Sequence, residues 1–409
     1  MTLRKVLFWC HLAAGVTAGV VILIMSVTGG LLMYERQIIA WADTREYTVA
    51  PPSAGAPRLP VEAIIAKVSA AEPRPAITTV TVRADPGAPV SFAAGPRTLF
   101  VNPYTGLVMG EGAPGVRRFF RVVTDWHRVL AFSGDRRPIG KAITGACNLA
   151  FLFIIASGIF IWWPRTRTRR HLRSITMFNG SLQGKARDFN WHNVIGFWSA
   201  IPLFVVVLGS AIISYPWASD LVYRLVGEAP PARQRPEATP GNASAGRGGG
   251  ASRRSAQSTP AAGIDPLLAR AEQQVAGWRT ISFRLPAAAE APVVFTIDRG
   301  MGGEPHKRGT LTLNRPSAEI VRWEPFESLS QGRRLRTWLR FAHTGEVYGL
   351  IGQTIAGLVS FGGAVLMYTG LALAFRRFLA WRVRVRSARR AEVGAGLRPR
   401  LGEGLGIRD

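Results

Sequence analysis

The sequence predicts a membrane all-α four-helix bundle that carries two α+β domains on one side of the bilayer and is internally duplicated. Three observations lead there. The apolar residues, 47% of the chain, collect into four long blocks at about 9–34, 139–163, 191–217 and 347–375. Two polar regions of similar pattern lie between the first and second blocks and between the third and fourth. Histidines recur at matching places in the two halves.

Each block is long enough to cross about 30 Å of hydrocarbon as a helix rising 1.5 Å per residue. The first span, with the N-terminus, takes residues 1–34. Arg4 and Lys5 ahead of an apolar stretch resemble a signal peptide, but the run is longer than the usual apolar region and no small-x-small cleavage site precedes Glu35. An uncleaved helix is expected. The second span is 139–163 and the third 189–217, interrupted by Pro202 but otherwise free of charge in its apolar part. A spanning helix tolerates such a proline when its neighbours satisfy the freed backbone. The fourth span is 343–375.

Orientation follows Lys and Arg near the span ends. Arg4 and Lys5, the loop 164–188 with its PRTRTRRHLR run, and the tail 376–409 opening RRFLAWRVRVRSARR mark the cytoplasmic side, which places both termini inside. Arg333, Arg334, Arg336 and Arg340 before the fourth span weaken the bias without reversing it. The net charge of +26 is then a lipid anchor for the anionic inner leaflet, and no nucleic-acid partner is expected. The two cysteines, Cys10 and Cys147, form no CxxC or CxxCH motif and read as small apolar residues.

The polar regions, 35–138 and 218–342, each begin with a short amphipathic helix pattern, PVEAIIAKVSA and DPLLARAEQQVA. Runs alternating at period two follow: ITTVTVRAD, PVSFAA and RTLFVNPYTG in the first, TISFRLP, PVVFTID and GTLTLNRPSAEI in the second. Each is expected to close as one helix on a small antiparallel sheet. Residues 229–260 are a Pro/Gly/Ser/Arg linker of disordered composition. The spans repeat as well. WCHLAAG in the first and NWHNVIG in the third each place glycine four residues after histidine. DWHRVL precedes IGKAITG in the second, and FAHTGEVYG precedes IGQTIAG in the fourth. The halves run in the same direction, so their pseudo-twofold axis is expected along the membrane normal.

Four of the six histidines fall into this repeat. His11 and His192 lie toward the cytoplasmic ends of the first and third spans. His127 and His343 lie toward the outer ends of the second and fourth. His171 sits in the basic loop and His306 in a turn, and neither is assigned to the site. A single histidine at a boundary can rest its polar edge among headgroups. Four in two symmetry-related layers point to a functional interior, where ionisable groups are otherwise costly. Neutral imidazole ligates iron, copper or zinc. Two imidazoles without a nearby Cys, Asp or Glu suit zinc poorly, because zinc takes four ligands. They suit haem, which brings four nitrogens and needs two axial ligands. Two non-covalent b-type haems are therefore expected, on His11 with His192 and on His127 with His343. With both axial positions filled they would carry electrons across the membrane. Gly15, Gly19, Gly145, Gly196, Gly357 and Gly362 either allow close helix packing or leave room for a flat macrocycle. Arg121, Arg128 and Arg340, near the outer layer, are candidates to pair with propionates, an anionic acceptor or lipid. Trp126, Trp191 and the tryptophans near span ends fit an interfacial belt.

FWCHLAAGVTAG with SVTGGLLMYE, DWHRVL with SGIFIWWPR, DFNWHNVIG, and FAHTGEVYG with YTGLAL together resemble the PepSY-associated transmembrane family of iron-regulated membrane proteins. VNPYTGLVMG looks like the end of a PepSY domain, and the second polar region matches less well. The resemblance implies a bacterial inner-membrane protein similar to ferric-siderophore reductases. It implies haem on His11, His127, His192 and His343, and a ferric siderophore or other ferric chelate reduced on the periplasmic side. The electron donor is left open between a quinol and a cytoplasmic reductase, since no Rossmann or flavin fingerprint occurs. The competing class is a haem-free accessory protein whose PepSY-like domains bind peptides or a transporter. A permease reading is weaker, because the spans show no discontinuous helix pair or buried carboxylate.

Overall fold

The computed structural model describes residues 2–45, 47–72, 75–163, 168–232, 262–286, 288 and 290–396. The expected linker 229–260 lies outside them from residue 233 onward.

The chain runs α1 (Leu3–Leu31), α2 (Glu35–Thr44), α3 (Val61–Ala71), β1 (Ile77–Arg83), β2 (Val90–Ala94), β3 (Arg97–Val101), β4 (Val108–Gly110), α4 (Pro114–Val129), α5 (Arg137–Trp162) and α6 (Arg169–Thr176). It continues with α7 (Gly184–Ser214), α8 (Pro216–Leu225), α9 (Ile264–Gln274), β5 (Thr280–Arg284), β6 (Val293–Asp298), β7 (Arg308–Leu313), β8 (Ile320–Pro325), α10 (Gln331–His343) and α11 (Gly349–Gly396). Among the described residues, four helical stretches are long and apolar enough to cross a membrane: Leu3–Leu31, Gly134–Trp162, Gly184–Ser214 and Glu346–Ala388. Pro202 lies inside α7 without ending it. Part of the basic loop is helical as α6, and α11 continues as one helix into the arginine-rich tail.

Two compact units emerge. One gathers Met1–Val27, Ala146–Phe204 and the chain from Val359; the other gathers Thr28–Gly145 and Val205–Leu358. In the first, α1, α5, α7 and α11 approach through small residues. Gly363 faces Ser26 and Phe151, Gly362 faces Ser199, and Gly19 faces Leu371. Trp162 stacks on Phe197 with centroids 4.6 Å apart. At the start of α7 the buried Asp188 ion-pairs with Arg376 of α11 at 2.9 Å.

The second unit holds the sheet, and here the expectation of two separate α+β domains is corrected. All eight strands form one antiparallel sheet, ordered β4-β3-β2-β1-β5-β6-β7-β8. Each meander would otherwise end in an open edge at β1 or β5, and pairing the two satisfies both rows of backbone groups. Thr81 sits opposite Ser282 at the middle of that junction, their hydroxyls 3.1 Å apart. Alternation then puts Val80, Val82, Ile281, Phe283, Phe295 and Leu311 into one core. The helices α3 and α9 cover it with the same stripe, Val61, Ile64, Ile65 and Val68 on one and Ile264, Leu267, Leu268 and Ala271 on the other. Burying each large aliphatic side chain contributes about 1.5–3 kcal/mol. The helix starts also cap each other. The Asp265 carboxylate accepts from the Val61 and Glu62 amides, and the Glu62 carboxylate accepts from the Asp265 amide at 3.0 Å.

Candidate histidine centres

His11 and His192 belong to the first unit, on α1 and α7. Each half-buried ring is held at Nδ1 by a hydroxyl of another helix. Ser157 Oγ of α5 lies 2.9 Å from His11 Nδ1, and Thr369 Oγ1 of α11 lies 3.0 Å from His192 Nδ1. A hydroxyl has one hydrogen to give. Ser157 gives its hydrogen to the Ile154 carbonyl, and Thr369 gives its to the Val365 carbonyl at 2.7 Å. With its hydrogen on that carbonyl, each hydroxyl is the acceptor for the tautomer that carries the proton on Nδ1, and that tautomer keeps the Nε2 lone pair. The two imidazoles are near enough to interact electrostatically.

His127 and His343 belong to the second unit. His127 lies ahead of its span, as the bounds 139–163 imply, and His343, expected to open the fourth span at 343–375, instead ends the helix before it. His127 is near the end of the amphipathic α4, and His343 is the last residue of α10. Thr28 Oγ1 lies 3.0 Å from His127 Nδ1. His343 Nδ1 lies 2.8 Å from the Val206 carbonyl, which can only accept, so its proton is on Nδ1 as well. The rings face each other with centroids 6.1 Å apart and planes at 36°. Two nitrogens each about 2.0–2.1 Å from a shared metal would put the centroids about 6 Å apart.

Tight turns hold these two rings. After α4 the chain reverses through Leu130 and Ala131, both at positive φ; after α10 it reverses through Gly345 at φ 71°. The glycine of each IG motif sits under its turn. A Cβ on Gly140 would run into the Val129 carbonyl, and one on Gly352 into the Gly345 carbonyl. On α7, a Cβ at Gly209 would come within 2.5 Å of the Leu339 carbonyl and 2.9 Å of His343 Cβ.

The remaining glycines divide. Gly19, Gly145, Gly357 and Gly362 are pressed against Leu371, Tyr215, Met33 and Ser199. Beside the first-unit histidines there is space instead. A Cβ on Gly15 would meet nothing within 4 Å, and one on Gly196 would meet only Leu366, at 3.6 Å. Each follows its histidine by four residues and so shares its helix face.

Among the described residues no group of three His, Cys, Asp or Glu could hold a bare metal ion. The donor set, imidazoles in pairs with no third His, Cys, Asp or Glu grouped with them among the described residues, fits a metal that brings its own equatorial ligands. Arg121 and Arg128 are exposed on α4, and Arg340 is exposed on α10 with its guanidinium 5.5 Å from the Phe341 ring centroid. His306 lies in a 3-10 turn, and the His171 backbone lies in α6.

Ser157, Thr369, Thr28 and the Val206 carbonyl were not among the residues singled out from sequence. Their signal is a hydroxyl residue followed by glycine inside a span, in ASGIF, YTGLA and VTGGL. The glycine matters too: a Cβ on Gly158 or Gly370 would lie 3.4 Å from Cε1 of His11 or His192. Facing His343, Gly209 is preceded by Leu208, which has no hydroxyl, and there the backbone carbonyl serves.

No curated protein matches the chain. A family model described as the PepSY-associated TM region matches residues 8–377, which spans all four histidine-bearing segments, and the chain belongs to that family of membrane proteins.

Proposed function

We propose that this protein is an inner-membrane, haem-dependent electron-transfer protein that reduces a ferric siderophore or another ferric chelate on the periplasmic side. The observation that carries the reading is the state of the imidazoles. His343 has Nδ1 committed as a donor to a carbonyl, which leaves Nε2 as the ligand atom; the hydroxyls at Nδ1 of His11 and His192 have carbonyls for their own hydrogens, which favours the same tautomer; and the His127 ring centroid stands 6.1 Å from that of His343. Residue pairs His11 with His192 and His127 with His343 would each hold one b-type haem without covalent attachment. Held by these residues, such a group would supply one-electron transfer.

The chain's own residues do the rest. Ser157, Thr369 and Thr28 orient the rings. Gly15 and Gly196 keep space on the ligand face. Arg121, Arg128 and Arg340 make the periplasmic approach to the outer pair attractive to an anionic chelate. The distribution of Arg4, Lys5 and the arginines of loop and tail favours cytoplasmic termini. Electrons would come from a quinol or a cytoplasmic reductase. Internal duplication accounts for the matched helix stripes of α3 and α9 and for a strand order symmetric about β1 and β5.

One observation favours the haem-free binding protein. A cleft of about 290 Å³ opens beside α3 and α9, lined by Arg58, Leu59, Ile64, Leu268 and Glu272 among others. That volume is near the lower end of small-ligand pockets.

The test is the visible spectrum of protein made with ample haem supply, oxidised and reduced, with haem extracted and counted per chain. Two b-type haems are expected. His11→Ala or His192→Ala should perturb one centre, and His127→Ala or His343→Ala the other. Protein that carries no haem under these conditions would refute the proposal and leave the cleft as the functional site.

A further inference from the structure

The helix α4 has three faces. At about 100° per residue, Phe120, Val123 and His127 fall together and point into the protein. Phe119, Val122 and Trp126 form a second face, and Arg118, Arg121 and Arg128 a third. The inward face is packed, since Phe120 and Val123 are buried. The second face is apolar and open. The same holds for α8, with Trp217, Leu221 and Leu225, and for α2, with Ile38 and Trp41. All eight of these apolar residues are between 40% and 73% exposed, too much apolar surface for water alone to cover.

Continuity says what covers them. The helix α2 begins at Glu35, just after α1 ends at Leu31, and α8 begins at Pro216, just after α7 ends at Ser214. The helix α4 leads into the span that starts at Gly134. Each open stripe thus stands at the mouth of a segment already clothed in lipid. Each carries a tryptophan, the side chain that settles at headgroup depth. Cations flank them: the Arg45 guanidinium lies 5.1 Å from the Trp41 ring centroid, and α4 sets its arginine face beside the apolar one. This pattern of aromatic and aliphatic residues on one side and arginine on the other is that of a helix lying in a bilayer interface.

We infer that α2, α4 and α8 form a collar seated in the phospholipid headgroup region, with Phe119, Val122, Trp126, Trp217, Leu221 and Trp41 immersed and the α4 arginines at the phosphate level. Because α4 carries His127 on its inner face, the leaflet itself becomes part of what positions that ring. The inference stands whether or not haem is bound.

Spin labels test it on the full chain with Cys10→Ala and Cys147→Ala, reconstituted in nanodiscs of phosphatidylethanolamine and phosphatidylglycerol. Val122→Cys, Phe119→Cys and Leu221→Cys are labelled one at a time. Ile201→Cys, 77% exposed on a span, is the lipid reference, and Leu107→Cys, 67% exposed beyond the sheet, is the water reference. Collisions with oxygen, which partitions into lipid, are compared with collisions with a charged nickel chelate, which stays in water. The collar labels should fall with Ile201. Labels that fall with Leu107 overturn the inference, and so do labels shielded from both quenchers, which would mean a protein partner covers the stripes.

Discussion

Thr369→Val isolates the role of one hydroxyl at nearly constant shape. In the native chain Thr369 Oγ1 lies 3.0 Å from His192 Nδ1 and 2.7 Å from the Val365 carbonyl, so with its own hydrogen on the carbonyl it accepts from the ring. Valine removes both bonds. The second is an internal helix bond and matters little; the first leaves an imidazole N–H without that acceptor. Such a loss costs about 0.5–1.5 kcal/mol if the group finds water and about 1–3 kcal/mol if it stays buried. The ring can lower that cost by moving its proton to Nε2, but the move removes the lone pair that a metal needs. Outer-shell partners of ligand histidines typically change affinity by about 10–100-fold, so haem retention at this centre should fall by a factor in that range. A less basic imidazole also favours ferric iron less. About 1 kcal/mol of lost preference corresponds to a rise of about 40 mV in the midpoint of a one-electron couple. Redox titration in nanodiscs and haem extraction per chain read both quantities. The control is Thr17→Val, the same chemical change on an exposed threonine bonded only within α1. If Thr369→Val matches Thr17→Val in midpoint and haem content, the hydroxyl does not set the ligand state of His192 and the central argument fails.

The two open glycines should respond oppositely to the packed ones. Gly15→Leu and Gly196→Leu add bulk where an added Cβ meets nothing within 4 Å or only Leu366 at 3.6 Å; haem-depleted protein should keep or gain about 0.5–1 kcal/mol of stability by differential unfolding, from better helix propensity, while haem content drops toward half. Full haem content in both variants would show that the space beside His11 and His192 serves something else. Gly140→Ala and Gly352→Ala press a methyl into a backbone carbonyl, and each should lower the unfolding midpoint with or without haem, by about 1–3 kcal/mol or more; unchanged midpoints would mean that the turns after His127 and His343 yield freely.

The spans were legible because crossing a bilayer imposes a length and an apolar composition that single-residue reading detects. The matched positions of His11 and His192 were legible because the WCHLAAG and NWHNVIG segments repeat. The fused sheet was not, because nothing in ITTVTVR or TISFR states that these strands, about 200 positions apart, will pair edge to edge. Their period-two pattern marks which face is buried and leaves the partner open. The ring-holding hydroxyls stayed hidden for another reason. A serine or threonine within an apolar helix ordinarily bonds back to its own turn, as Ser157 and Thr369 both do, and only their second contact reveals their use. That His343 ends a separate helix was hidden by its closeness to the fourth span. Positive φ at Leu130 and Ala131 ends α4, and the glycines at 345 and 349 separate α10 from α11, so the histidine-bearing segments are α4 and α10 and not extensions of the spans.

The four imidazoles also differ in what holds them. Three rings rest on hydroxyls at 2.9–3.0 Å, and His343 rests on the Val206 carbonyl at 2.8 Å. A hydroxyl is a pliable acceptor that can rotate, and its oxygen also serves its own donor bond. A backbone carbonyl is fixed by the helix and accepts more strongly, which makes the imidazole above it a more basic ligand. On the proposed reading, the pair His127 with His343 then favours ferric iron more than His11 with His192 does, and it is the better reductant once reduced. A chelate that prefers ferric iron accepts electrons only from a donor of low potential; such an outer centre suits that last step, while the step from the inner pair runs uphill and is drawn forward by it.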